Sequence, residues 1–164
     1  MTTFSATTRS AAVVAADRAA VWAVLTDPVL LCKLTPLVQK IDADGDVWRW
    51  HLMRISALGV GISPKFTERM RFDEQRRIEY THEPPKGRSE HSGADGWYEL
   101  SDVDGGTRLE ISLTLCVDVP LPKLAAPAVQ RIMKATMERT GERFSRNLLK
   151  HLGVTGTPFS AATR

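Results

Sequence analysis

The sequence predicts an α+β domain in which a curved antiparallel sheet of about seven strands wraps around one long C-terminal helix. Residues 38–119 alternate apolar and polar side chains with a period of two, which is typical of half-buried strands. Residues 128–151 instead repeat their apolar side chains with the helical period of 3.6. An antiparallel sheet must cover its apolar face, and only this last helix is long enough to cover it.

Composition and charge indicate one ordinary globular domain. The chain has 164 residues, of which 43% are hydrophobic and 25% charged. Its net charge of +3 is dispersed, which argues against a nucleic-acid partner. No apolar run is long enough to span a membrane, and residues 1–10 lack the apolar core of a signal peptide. The two cysteines, Cys32 and Cys116, form no redox or metal spacing, so we expect reduced thiols in a cytoplasmic protein.

The N-terminal part predicts one strand followed by two short helices. Residues 4–16 are rich in β-prone side chains. Asp17 is a suitable N-cap for a helix over 18–26. Pro28 ends that helix, and a second short helix is predicted over 29–34.

Two Asp-Gly pairs, each flanked by alternating residues, predict two-residue hairpin turns. A turn at the first pair places Ile41 opposite Trp48, and a turn at the second places Leu100 opposite Leu109. Both registers bring apolar side chains to the same face of the sheet, which supports them because a one-residue slip would reverse every side chain.

A third hairpin, with its turn at 74–76, predicts a polar pair on the concave face. This register places Glu68 opposite His82 and Met70 opposite Tyr80. A carboxylate facing an imidazole could act as an acid–base dyad or hold a polar group of a ligand. The pair could equally be structural, or lie in water at the sheet edge.

The C-terminal helix suggests a cavity. Its inward side chains run from large to small and back to large: Met133, Met137, Thr140, Gly141, Phe144 and Leu148. A glycine in the middle of a helix costs about 1 kcal/mol relative to alanine, so its position calls for a reason. The reason is either a gap between helix and sheet or a close approach to Trp48 or Trp50. After Gly153, residues 154–164 are small and polar, and we expect a frayed tail.

Several segments together resemble a known superfamily. They are DRAAVW at 17–22, LTDP at 25–28, GWYEL at 96–100, GGTRL at 105–109 and the terminal helix. The chain is similar to the START-like, Bet v 1-like helix-grip superfamily (SRPBCC), which includes bacterial polyketide cyclase/dehydrase and lipid-transport types. The resemblance implies a helix-grip, ligand-binding domain over residues 4–153, a hydrophobic ligand and no cofactor. The superfamily shares no universal catalytic motif.

The predicted ligand-contacting residues lie on the concave face of the sheet and on the last helix. They are Trp48, Trp50, Phe66, Glu68, Met70, Phe72, Tyr80, His82, Tyr98, Met133, Met137, Thr140, Gly141 and Phe144. The aromatic and methionine side chains among them could equally be plain core. If the protein is an enzyme, we expect Glu68, His82 and Tyr98 to move protons. His51 and His91 stand apart from other metal-ligating residues, so no metal site is expected.

Three functions remain open from the sequence. The first is binding of a hydrophobic small molecule, a lipid or polyketide-like compound. The second is a cofactor-independent enzyme of the polyketide aromatase/cyclase or dehydratase type. The third is a protein-interaction module with a filled core. A homodimer is also possible, because the register places Trp97 on the convex face of the sheet.

Overall fold

The chain folds into a large antiparallel sheet packed against one long C-terminal helix, which confirms the predicted α+β helix-grip architecture. The structure is a computed structural model that describes residues 1–161. Its N-terminal half consists of β1 (Thr2–Val14), α1 (Arg18–Leu25), α2 (Pro28–Leu34), β2 (Val38–Asp44), β3 (Val47–Leu52), β4 (Ile55–Ala57), β5 (Val60–Ile62) and β6 (Lys65–Asp73). Its C-terminal half consists of β7 (Arg77–His82), β8 (Ser92–Val103), β9 (Gly106–Val119), a 3-10 turn (Lys123–Ala125), α3 (Ala126–Leu152) and β10 (Gly156–Ala161).

The described part of the main sheet has eight strands in the order β10-β1-β9-β8-β7-β6-β3-β2. Strands β4 and β5 form a separate two-stranded hairpin. Seven strands of the main sheet correspond to those expected, and β10 is the additional one. It pairs with β1 from Gly156 to Ala161, where the sequence predicts a frayed end. The free edge of β1 offers unpaired backbone groups to any segment that follows α3 closely.

Short polar side chains and one glycine set the helix ends. The Asp17 carboxylate accepts a hydrogen bond from the backbone N–H of Ala20 at 2.8 Å, which caps α1 as predicted. The Asp27 carboxylate accepts from two backbone N–H groups at the start of α2. Gly153 ends α3 with a φ of 65°, a left-handed conformation that favours glycine.

Two of the three predicted hairpin registers are confirmed. Leu100 pairs with Leu109 across β8 and β9, and Glu68 pairs with His82 across β6 and β7. The register of the first hairpin is wrong, because Ile41 pairs with Trp50 rather than Trp48. The turn lies one residue later than expected, which moves the partner of each residue from Lys40 to Asp44 by two positions. A two-residue shift keeps the side chains of these residues on their predicted faces.

The core consists of two apolar clusters at different levels of α3. The first lies under α1 and α2 and includes Leu25, Leu109 and Leu148, each with almost no exposed surface. The second contains Val129 near the start of α3, with the β4–β5 hairpin packed against it. Between these clusters, Thr136, Met137, Thr140 and Gly141 of α3 line the cavity described below, together with Phe144 of the first cluster. No helix within residues 1–161 is long and apolar enough to cross a bilayer.

Candidate functional site

A partly enclosed cavity of about 180 Å³ lies between the concave face of the sheet and α3. Apolar and aromatic side chains form most of its wall. The sheet contributes Thr8, Ser10, Trp50, Leu52, Phe66, Glu68, Tyr80, Ala94, Tyr98, Ile111, Leu113 and Leu115. The helices, the segment from the end of α2 to the start of β2, and the β4–β5 hairpin contribute Leu31, Thr35, Pro36, Leu37, Val38, Ile55, Thr136, Met137, Thr140, Gly141 and Phe144. The core is therefore not filled, unlike the core expected for the alternative of a protein-interaction module.

Gly141 faces open space inside this cavity. A Cβ atom built on Gly141 would meet no atom within 4 Å. The glycine therefore does not allow a close approach to Trp48 or Trp50, which was the alternative explanation for its position. It instead leaves part of the helix face unfilled, and so contributes directly to the volume of the cavity.

Four aromatic rings form the sheet side of the cavity. The rings of Trp50 and Phe66 are stacked, with centroids 6.4 Å apart and planes 16° apart. The rings of Tyr80 and Tyr98 lie 5.3 Å apart and are tilted. The Tyr80 hydroxyl donates a hydrogen bond to the carbonyl oxygen of Ser112 at 2.7 Å, so this O–H group is not free to donate to a ligand. Burial raises the pKa of both tyrosines, which keeps them as neutral phenols.

Among the described residues that line the cavity, Glu68 is the sole carboxylate, and its side chain is 3% exposed. Burial raises the pKa of Glu68 to about 8, so the side chain is mostly a neutral carboxylic acid at neutral pH. The indole N–H of Trp50 partly offsets that rise in pKa. The contact between the Trp50 indole N–H and the Glu68 carboxyl group nevertheless lacks the geometry of a hydrogen bond. Oε2 of Glu68 and Nε1 of Trp50 are both buried, and neither finds a partner within residues 1–161.

His82 lies outside the cavity, so the predicted Glu68–His82 dyad is wrong. Nε2 of His82 lies 3.0 Å from a carboxylate oxygen of Glu90. The same Glu90 side chain also accepts hydrogen bonds from the backbone N–H and the hydroxyl of Thr67. Glu90 belongs to the connection between β7 and β8, which has no periodic pattern. Register alone therefore gave no warning that this residue would hold the imidazole.

Four further predicted residues also lie outside the cavity. The indole N–H of Trp48 donates to the carbonyl oxygen of Gly45, and Met70 is buried in the first core cluster. Phe72 is 43% exposed and lies with Trp48 on a separate, more open depression. Met133 packs against the second core cluster. These residues share the concave or inward face with the site, but they lie beyond its ends.

The other nine predicted residues line the cavity: Trp50, Phe66, Glu68, Tyr80, Tyr98, Met137, Thr140, Gly141 and Phe144. Sequence reasoning missed the contribution of residues 35–38, which form the connection between α2 and β2 and the first residue of β2. Leu37 there has a φ of 69°, which is unusual for a leucine. The missed leucines of β9 had a usable signal, because Leu113 and Leu115 continue the apolar face of their hairpin.

Among residues 1–161, no group of three or more His, Cys, Asp or Glu side chains could hold a metal ion. The described lining of the cavity contains no Lys, Arg or His side chain. The site therefore offers a bound molecule an apolar volume, the Glu68 carboxyl group, the Trp50 indole N–H and a set of hydroxyl-bearing side chains at its wall: Thr8, Ser10, Thr35, Thr136, Thr140 and Tyr98.

Comparison with solved structures shows the same fold in several bacterial proteins. A protein from Thermus thermophilus is 15% identical, with a TM-score of 0.63 over 92% of this chain and 97% of that one. A conserved protein from Geobacillus kaustophilus is 17% identical, with a TM-score of 0.60 over 91% of this chain and 98% of that one. The di-domain ARO/CYC StfQ from the steffimycin biosynthetic pathway is 12% identical, with a TM-score of 0.61 over 92% of this chain and 53% of StfQ.

A search of curated protein sequences finds no significant match. The sequence model of one family, described as polyketide cyclase / dehydrase and lipid transport, matches residues 1–148. This match confirms the resemblance seen in the sequence. The chain belongs to the polyketide cyclase / dehydrase and lipid transport family.

Proposed function

We propose that this protein binds a hydrophobic small molecule in the cavity between the sheet and α3, within a ligand-binding domain spanning residues 4–153. Family membership and the apolar lining both support this function. Burial of apolar surface would supply most of the binding free energy, at about 25 cal/mol per Å² removed from water. One or two polar contacts would orient the bound molecule.

The position of Gly141 gives this function its strongest support. A glycine in a helix interior lowers stability by about 1 kcal/mol relative to alanine. Here it lies on the buried face of α3, beside Thr140, and a Cβ atom would meet nothing. The sequence thus has a residue that lowers helix stability at the position where a larger side chain would occupy the cavity. Space for a ligand explains this arrangement.

The proposal is tested by native mass spectrometry and solvent extraction of the purified protein. We expect a small apolar molecule to co-purify with the wild type or to bind when offered. Gly141→Leu should abolish that binding because its side chain fills the cavity. Ala135→Leu is the matched control, since it adds a similar side chain to an exposed position on the same helix. Equal binding by both variants would refute the proposal.

A second candidate function is catalysis of the aromatase/cyclase or dehydratase type, and the state of Glu68 favours it. A neutral carboxyl group in an apolar cavity can donate a proton to a bound substrate at neutral pH. Tyr98 lines the same cavity and could assist. Under this hypothesis, Glu68→Gln abolishes conversion of a co-purified molecule and leaves its binding intact. Unchanged conversion would exclude Glu68 as the acid.

We also propose that the protein acts in the cytoplasm and without a nucleic-acid partner. Its cysteines are free, and many of its arginines are paired with carboxylates on the convex face, such as Arg9 with Glu110. A homodimer through Trp97 has little support, because the guanidinium groups of Arg9 and Arg77 lie 5.2 and 4.7 Å from its ring. Cell fractionation and analytical ultracentrifugation test these statements.

A further inference from the structure

We infer that the ligand is a compact, electrically neutral molecule with one carbonyl or hydroxyl oxygen held between the Glu68 carboxyl group and the Trp50 indole N–H. This inference rests on the proposed function and specifies its ligand. It follows from three features of the cavity: two unsatisfied polar atoms, a described lining without cationic side chains, and a small volume.

The two unsatisfied atoms belong to neighbouring side chains on one wall. Trp48 pairs with Glu68 and Trp50 pairs with Phe66 across β3 and β6, so Trp50 and Glu68 are diagonal neighbours on one face. Oε2 of Glu68 and Nε1 of Trp50 are buried without a hydrogen-bond partner in the described part of the chain. Most buried polar groups in folded proteins are paired, and an unpaired one costs free energy. An oxygen atom of a ligand would satisfy both.

The hydrogen-bonding groups of Trp50 and Glu68 determine which ligand atom can lie between them. An indole N–H can only donate, so the ligand must offer an acceptor. A protonated carboxyl group can donate to that same acceptor through its O–H. A carbonyl oxygen has two lone pairs and can accept both hydrogen bonds. A hydroxyl oxygen can accept from the indole and donate to Oε2. An ammonium group has no acceptor and would leave the Trp50 N–H unpaired.

The charge of the lining argues against an anionic ligand. No Lys, Arg or His side chain of residues 1–161 lines the cavity, so a carboxylate or phosphate would lose its hydration without meeting a cation. Glu68 would also repel an anion whenever it ionised. A neutral head group avoids both costs.

The volume limits the apolar part of the ligand. At about 180 Å³, the cavity is slightly larger than an apolar cavity of about 150 Å³ that admits benzene. It is smaller than the roughly 300–1,000 Å³ of sites for drug-sized molecules. The cavity therefore fits a single substituted ring or a short branched chain. A long-chain lipid or a fused polycyclic polyketide would have to extend beyond the cavity through its open side.

The test compares acetophenone with α-methylstyrene, which has the same shape but carries CH₂ in place of the carbonyl oxygen. Isothermal titration calorimetry measures both affinities, and benzoate and 1-phenylethylammonium serve as charged probes of similar size. For the wild type we expect acetophenone to bind about tenfold more tightly than α-methylstyrene, the effect of about one net hydrogen bond. Both charged probes should bind more weakly than acetophenone.

Variants identify the groups responsible. Trp50→Phe and Glu68→Leu should each reduce the preference for acetophenone several-fold, and Glu68→Gln should retain it because an amide still offers a donor and an acceptor. Trp97→Phe and Glu138→Leu are matched controls outside the cavity and should leave the preference unchanged. By NMR, the indole N–H proton of Trp50, assigned by its absence from Trp50→Phe, should shift downfield with acetophenone only.

The outcomes separate the two proposals. If the two neutral probes bind the wild type equally, or if a charged probe binds most tightly, the inference is wrong while the proposed function stands. If neither neutral probe binds, the proposed function fails for molecules of this size, and the inference fails with it. A preference for acetophenone that survives both Trp50→Phe and Glu68→Leu would also overturn the inference.

Discussion

Glu68 and His82 are direct partners across strands β6 and β7, yet their side chains make no hydrogen bond with each other. Glu68 lies in the cavity as an almost fully buried acid. His82 is held by Glu90 and keeps 24% of its side chain exposed. Glu68 is therefore a cavity group and His82 a structural group, and we derive a separate prediction for each.

The first prediction concerns the pH dependence of stability. The pKa of Glu68 rises from 4.5 to about 8 on folding, so between these values the folded state holds a proton that the unfolded state has lost. Stability from this group is fully present below pH 4.5 and decreases as the pH rises to about 8. Glu68→Gln removes that dependence.

Urea unfolding of the wild type and Glu68→Gln across this pH range measures the effect. The free energy of unfolding of the wild type should fall relative to that of Glu68→Gln by a few kcal/mol, with most of the change below about pH 8. Parallel pH profiles for the two proteins would contradict the burial of an acid at this position.

The second prediction concerns the imidazole. His82→Ala should leave the affinity for a cavity ligand unchanged, because His82 does not line the cavity. It should lower the free energy of unfolding by about 1 kcal/mol through loss of the hydrogen bond to Glu90. Titration calorimetry and urea unfolding measure the two effects. A loss of ligand affinity in a variant that still folds would show that His82 contributes to the ligand site.

The third prediction concerns Gly141. Gly141→Ala should raise the free energy of unfolding by about 1 kcal/mol, because alanine favours the helix and its Cβ meets no atom within 4 Å. Chemical denaturation measures this gain. Destabilisation would mean that the space beside Gly141 is occupied.

The fourth prediction concerns a glycine where no space exists. A Cβ atom on Gly96 would overlap the backbone carbonyl oxygen of Ser112 and the ring of Tyr80. Backbone cannot move aside cheaply, so Gly96→Ala should lower the free energy of unfolding by about 1–3 kcal/mol. The same denaturation experiment compares it with Gly141→Ala, and the two substitutions should have opposite signs. Two gains or two losses would refute the contrast.

The fold was predictable because its signals are local. The alternation of β6 and β7 fixed the pairing of Met70 with Tyr80, and Asp17 marked the start of α1. The turn before β3 was misplaced by one residue because a two-residue turn at Gly45 and Asp46 fits the same faces. Strand β10 follows α3 in a small, polar segment whose pairing depends on the edge of β1, so its own sequence gave no indication of it.

The site was only partly predictable because it depends on where the sheet and helix separate. Periodicity identified the inward faces, and these hold Trp50, Glu68 and Gly141 correctly. It could not determine how far along each face the cavity extends. Met70 and Met133 therefore belong to the core, although they share those faces.

A crystal structure of the protein grown with acetophenone would locate the ligand relative to Gly141, Glu68 and Trp50. We expect density for one ring against Gly141 on α3, with the carbonyl oxygen within hydrogen-bond distance of the Glu68 carboxyl group and the Trp50 indole nitrogen. A cavity closed by protein side chains, or a ligand bound only on the outer surface, would contradict this expectation.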